Sequence, residues 1–235
     1  MPGGSKMKRI ICTTVFLCCA SPWSLFGDSI ILGTDNGGNA DPFAGPLAGF
    51  PGTEYQEAYA SSDFSGPISI TGIDFFLEPG YSGTTLYGAT YQLSLSIITA
   101  NIDNLSDTNL QSNLGADNTI FTTATLGGAA PNELTFNGGP FSYDPSLGNL
   151  LLDIQISNVT GSGSAVFEDG GGEGPAGIVR YSNLYNGNTG YGMVTEFDYS
   201  APNNFSQFSA PEPGTLILLG CGLAGLLAGR RRRPS

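Results

Sequence analysis

From residue 28 to residue 210 the chain alternates apolar and polar positions in short runs, each cut off by Gly, Pro, Asn or Asp. "TYQLSLSIIT" puts Tyr91, Leu93, Leu95 and Ile97 on one side, and "LLLDIQIS" does the same for Leu150, Leu152, Ile154 and Ile156. In the second run Asp153, Gln155 and Ser157 take the opposite side. A period of two is the pattern of a strand with one buried face. "ISITGIDFFL" changes parity midway: Ile68 and Ile70 share one face, and Ile73, Phe75 and Leu77 share the other. Gly72 between them predicts a bulge or bend. Further strands are expected at Glu54–Ala60, Thr119–Leu126, Glu133–Asn137, Ala165–Glu168, Ile178–Tyr185 and Val194–Tyr199. No stretch of the body keeps a 3.6-residue apolar period, so it reads as all-β.

Turn chemistry supplies the connections. "PGYSG", "NGGPF", "YDPSLGN" and "EDGGGEGPAG" all carry the residues that tolerate tight backbone reversals. About nine or ten short strands on one body of this length predict a two-sheet β-sandwich, jelly-roll-like in architecture. The body spans residues 28–205 with no internal boundary, and 206–210 reads as a polar linker.

The two ends break the alternation. Lys6, Lys8 and Arg9 precede the apolar run Ile10 to Ala20, the order of a signal peptide over residues 1–27. Cleavage is expected after Gly27, with Ala20 as the alternative, and translation could begin at Met7. Cys18 and Cys19 lack a lipobox before them. An amphipathic first helix is the competing reading. At the other end Thr215 to Gly229 is uncharged and rich in Leu and Gly. As a helix that run would be about 22 Å long, short of the roughly 30 Å hydrocarbon layer, and a transmembrane helix is expected over about residues 214–229. Arg230, Arg231, Arg232 and Arg233 can snorkel to the headgroups and hold that end in the cytoplasm. Pro213 suits the entry to a helix, where its missing N–H costs nothing.

Pro211-Glu212-Pro213, the apolar helix and the terminal arginine cluster, in that order over 211–235, resemble the PEP-CTERM sorting signal of Gram-negative bacteria. A tail of this kind is also labelled an ice-binding protein C-terminal domain, which describes its history and no activity. The resemblance implies exosortase as the processing partner and an exported chain. Such a chain is held at the membrane by the C-terminal helix and released to the cell surface or matrix, in a setting of extracellular polysaccharide and biofilm. "PFSYDPSLGNLLLDIQIS" is similar to a segment of ectodomains that carry this tail, which supports the fold and assigns no site.

Charge and composition narrow the chemistry. The formal net charge is −12, but the stretch Asp28 to Glu212 sets all 20 acidic residues against Arg180 alone, a net of −19. That surface repels nucleic acid and anionic lipid, while divalent cations are compatible with it. Histidine is absent, so the commonest general base and metal ligand are missing. Cys12, Cys18, Cys19 and Cys221 all lie in the terminal runs, leaving the body without disulfides or thiolate metal sites.

The pentad "LGTDN" at Leu32–Asn36 recurs as "LGADN" at Leu114–Asn118, and "FEDGGGEG" places Glu168, Asp169 and Glu173 around three glycines. Asp35, Asp117, Glu168, Asp169 and Glu173 are therefore candidate calcium ligands, against the reading of both pentads and the glycine run as solvated turns. That run lacks the Lys-Ser/Thr of a phosphate loop. Close carboxylate pairs are inevitable among so many acids, and no G-x-S-x-G occurs, so no enzyme activity is expected. Thr123 and Thr125 form one Thr-x-Thr, where a flat ice-binding face needs repeated ranks. Tyr181, Tyr185 and Tyr191 could stack on sugar rings or serve the core. The expected function is a non-catalytic, exported surface or matrix protein; a calcium-assisted carbohydrate-binding module and a glycoside-active enzyme are the alternatives.

Overall fold

The computed structural model describes residues 27–44, 54–170, 179–182 and 192–200. The signal peptide, the linker and the apolar tail expected from the sequence lie outside the described residues. Within them the chain is all-β and antiparallel throughout. The strands are β1 (Asp28–Leu32), β2 (Gly38–Asn39), β3 (Glu54–Tyr59), β4 (Ile68–Phe76), β5 (Thr85–Ile98) and β6 (Thr119–Ala129). They continue with β7 (Glu133–Tyr143), β8 (Asn149–Thr160), β9 (Phe167–Glu168), β10 (Val179–Ser182) and β11 (Thr195–Ser200). One sheet has the order β1-β11-β4-β7, a second β10-β3-β8-β5-β6, and β2 pairs with β9 in a short ribbon. No helix among the described residues is long and apolar enough to cross a membrane.

The alternation predicts which side chains go inward. Tyr91, Leu93 and Leu95 of β5 are buried, as are Leu150, Leu152, Ile154 and Ile156 of β8. These join Ile70, Ile73 and Phe75 of β4, Phe136 of β7 and Phe197 of β11 in one cluster fed by both large sheets. Aromatic rings tie the two together. Tyr59 of β3 meets Phe197 of β11 edge-on at 5.0 Å between centroids. Phe43, between β2 and β3, contacts Phe75, Tyr91, Phe136 and Phe167 at 5.2, 5.4, 5.7 and 5.3 Å. Without cysteines in the body, this packing carries the stability that a disulfide would otherwise share. The parity change in β4 is a bulge: its register against β7 slips between Ile70 and Gly72, so both halves of the strand keep their apolar side inward.

Two expectations need correction. "NGGPF" is no hairpin turn, because β7 runs through it from Glu133 to Tyr143. Its glycines serve close packing: a Cβ on Gly138 would lie 2.3 Å from the Phe121 carbonyl of β6. The reversal comes earlier, at residues 130–132, where the chain passes from the second sheet to the first. The other correction concerns β8. Asp153 was expected on a solvated face, yet it is 1 % exposed, and Leu151 beside it is fully buried. The connection between β5 and β6 covers that part of the face. Its Ile102, Leu105 and Leu114 pack on Ala58, Ile98 and Leu151, and it carries two short 3-10 helices, Ile102–Asn104 and Leu110–Asn113.

Candidate functional site

Where that covering segment stops, the outer face of the five-stranded sheet forms a groove. Antiparallel pairing sets residues opposite one another on the same face. Gln155 of β8 is the register partner of Glu54 on β3 and of Gln92 on β5, giving one polar row across three strands. In the adjoining rows Asp153 lies between Gln56 and Ser94, and Ser157 lies opposite Thr90. The 3-10 helix Leu110–Asn113 raises Gln111 as a wall. Glu54, Gln92, Gln111, Gln155 and Ser157 line a cavity of about 380 Å³.

Hydrogen bonds order this lining. The Gln111 side-chain amide donates to Glu54 Oε1 at 2.6 Å. Gln56 donates to Asp153 Oδ1 at 2.8 Å and to the Leu110 carbonyl at 3.0 Å, while Asn113 donates to Gln56 Oε1 at 3.0 Å. The wall is thereby fastened to the floor. The Gln56 amide also donates to Glu54 Oε1 at 3.4 Å and so bridges the Glu54 and Asp153 carboxyls. Burial, followed by the hydrogen bond and charge of Asp153, raises the Glu54 carboxyl to about 7, and the Gln111 bond opposes that rise.

A second polar cluster sits inside the core. Glu57 is fully buried beside Tyr55 and Tyr59 on the inward face of β3. The Tyr55 hydroxyl and the Met193 N–H (2.7 Å) donate to Oε1. The Tyr59 hydroxyl (2.5 Å) and Thr195 Oγ1 (3.2 Å) serve Oε2. Burial pushes the Glu57 carboxyl up, and these four donors pull it back. The bonds stitch β3 to the start of β11 across the two sheets, a structural use of the carboxyl group.

The calcium candidates divide. Asp35 follows β1 and accepts from the Gly37 N–H at 3.2 Å. The Asn36 N–H bonds the Asp169 carbonyl at 3.0 Å, and Asp169 forms a bridge with Met193. Glu168 on β9 is raised by burial and by Asp35. Glu78 joins them, raised by burial and then by Asp35, Glu168 and Asp169. Nothing in the "LEPG" turn that holds Glu78 marks it in the sequence. Among the described residues no group of three or more such side chains is disposed to hold a metal ion. Asp117 belongs elsewhere: its Oδ1 accepts from the Ile97 N–H at 2.9 Å and pins the turn to β5. Thr123 and Thr125 pair with Gln92 and Thr90, extending the polar rows toward β6.

Glu173, Pro211, Glu212, Pro213, Arg230, Arg231, Arg232 and Arg233 lie outside the described residues, as do Tyr185 and Tyr191. Of the groove, the sequence marked Asp153, Gln155 and Ser157 as a polar face. It gave no sign of Gln92 or Gln111, and Glu54 and Gln56 were hidden in a strand read only for its apolar residues. The matching Glu54-x-Gln56 and Asp153-x-Gln155 patterns are the signal that a strand-pairing search would have found.

The family model of the PEP-CTERM protein-sorting motif matches residues 209–233. No curated protein and no solved structure matches the chain. A motif of this kind goes with export and with processing by exosortase. The chain thus carries a PEP-CTERM protein-sorting motif as its tail.

Proposed function

We propose that this protein is a non-catalytic component of the cell surface or extracellular matrix whose body binds polysaccharide. Residues 214–229 anchor it in the membrane until exosortase acts at the PEP motif. The body is a jelly-roll-like sandwich, a reading supported by strand order. With β2, β9 and the edge strand β10 set aside, β1-β11-β4-β7 and β3-β8-β5-β6 interleave as two Greek keys do. The observation that carries the binding role is the groove, where three glutamine amides, a serine hydroxyl and a carboxyl converge on one cavity. Each amide offers donors and an acceptor, the complement that sugar hydroxyls require.

Two measurements test this. Cells with and without exosortase are fractionated, and the intact mass of the protein is taken from each; processing only in the first is expected, and a cytosolic, uncleaved protein in both would overturn the sorting role. Pull-down of the native protein on extracellular polysaccharide, with Gln155→Ala as the control, should lose most of the retained material in the variant. Equal retention would remove the groove from the reading.

A further inference from the structure

Building on the polysaccharide reading, we infer that the groove is one end of a track crossing four strands, which takes an extended, ribbon-like glycan chain laid across them and reaches the threonines of β6.

Register defines the track. Glu54 of β3, Gln155 of β8, Gln92 of β5 and Thr123 of β6 are successive partners and so form one row on one face. Beside it Ser157, Thr90 and Thr125 form a second row over β8, β5 and β6. At the usual strand spacing the longer row measures about 14 Å, while the two rows stand only about 7 Å apart along the strands. The strip is bounded on both long sides. On one, the covering segment lies over the next row, where Gln56 donates to the Leu110 carbonyl at 3.0 Å and accepts from Asn113 at 3.0 Å. On the other, the β5–β8 register shifts between Gly88 and Thr90. There Asn158 takes a left-handed φ of 51°, and its amide reaches Thr90 Oγ1 at 3.4 Å. A long ligand therefore runs across the strands and not along them. Toward β6 the strip presents Thr123 and Thr125, both exposed. The side chains suit a chain of hydroxyls. Gln155 donates to Asp153 Oδ2 only at 3.4 Å, and the Thr90 and Thr125 hydroxyls stand 3.4 Å apart. These are long contacts that sugar hydroxyls would replace. An extended β-linked glycan is a straight ribbon with hydroxyls along both edges, which matches two parallel polar rows. The longer row has the length of a trisaccharide, and the lone Thr-x-Thr of the sequence becomes its far end.

The test is calorimetry on the full-length protein, held in a detergent without a sugar headgroup. The probes are glucose, the cello-oligosaccharides up to the hexaose, and the malto-oligosaccharides of the same lengths, whose chains curl. Affinity for the straight series should rise about five-fold per added ring, as one further hydrogen bond provides, and level off once the row is filled. Thr123→Arg obstructs the β6 end and should weaken cellotetraose at least about ten-fold while leaving cellobiose unchanged. Thr123→Ala, which only removes the hydroxyl, should weaken cellotetraose about five-fold. Gln155→Ala should weaken every length. Thr123 and Gln155 are both exposed, so these variants should melt as the parent does. Affinity independent of length, or cellotetraose binding untouched by Thr123→Arg, would overturn the track and leave a single-sugar pocket, with the polysaccharide reading intact. Equal binding of the malto-oligosaccharides would overturn the extended geometry. Absence of binding by every oligosaccharide would overturn the inference, and the polysaccharide reading would then rest on the native-polymer pull-down alone.

Discussion

Glu57 carries a carboxyl into the middle of an apolar core, a placement that would be prohibitive without its four donors. Replacing it removes the acceptor and leaves the donors. Glu57→Ala takes the shared acceptor away from the Tyr55 and Tyr59 hydroxyls, Thr195 Oγ1 and the Met193 N–H, and also leaves a cavity. The expected loss is about 3–5 kcal/mol, against about 1–2 kcal/mol for Tyr59→Phe, measured by urea unfolding. A Glu57→Ala loss no larger than that of Tyr59→Phe would mean that the network is dispensable. Gly115 shows the same logic in a turn. A Cβ there would stand 2.2 Å from the Ile97 carbonyl, while Asp117 of the same pentad holds the Ile97 N–H. Gly115→Ala should cost about 1–3 kcal/mol through the forced shift and Asp117→Ala about 1 kcal/mol, which thermal melts can separate. The pentad thus clamps β5 through both residues.

At the scale of elements, strand positions were legible because one buried face enforces period two, and a slip of one residue would turn that face to water. Ile68 and Ile70 against Ile73 and Phe75 even showed the bulge. The covering segment was illegible for the opposite reason. Residues 99–118 have no period, and their Ile102, Leu105 and Leu114 find burial only on a sheet face formed by distant residues. The groove inherits this: Gln111 belongs to that segment, whereas Gln155 and Asp153 lie on a strand whose alternation was plain. Burial, and after it the neighbouring Asp153, sets the titration of Glu54. Its carboxyl goes from 4.5 ordinarily to about 7 when folded. The folded chain then holds a proton that the unfolded chain has lost. The contribution is fully present below about pH 4.5, declines between there and 7, and is level above. Glu54→Gln keeps the shape and discards the titration. Its melting temperature should match that of the parent at about pH 4 and exceed it at about pH 8. A constant difference across that range would contradict the assignment to Glu54.

Taken over the whole molecule, the same sign recurs. Burial raises Glu54 to about 7 and Asp74 to about 6. It also raises Glu57, Glu78, Glu168 and Asp63, while Asp144, held by Ser146, moves down. Asp74 feels Asp198, Glu133 and Glu196 as well, because the outer face of the four-stranded sheet gathers acids. An acidic body without balancing cations therefore prefers, when folded, to be partly protonated. Stability should be greatest on the acid side, near about pH 5, and fall toward about pH 8, since the folded state binds more protons over that window. Salt should raise the melting temperature clearly at the upper end, where repulsion among ionised carboxylates is strongest, and little at the lower end. The measurement is a series of melts at several pH values, each at low and high sodium chloride. Stability that climbs from pH 5 to 8, or a salt effect independent of pH, would mean that these carboxylates have found compensating charge.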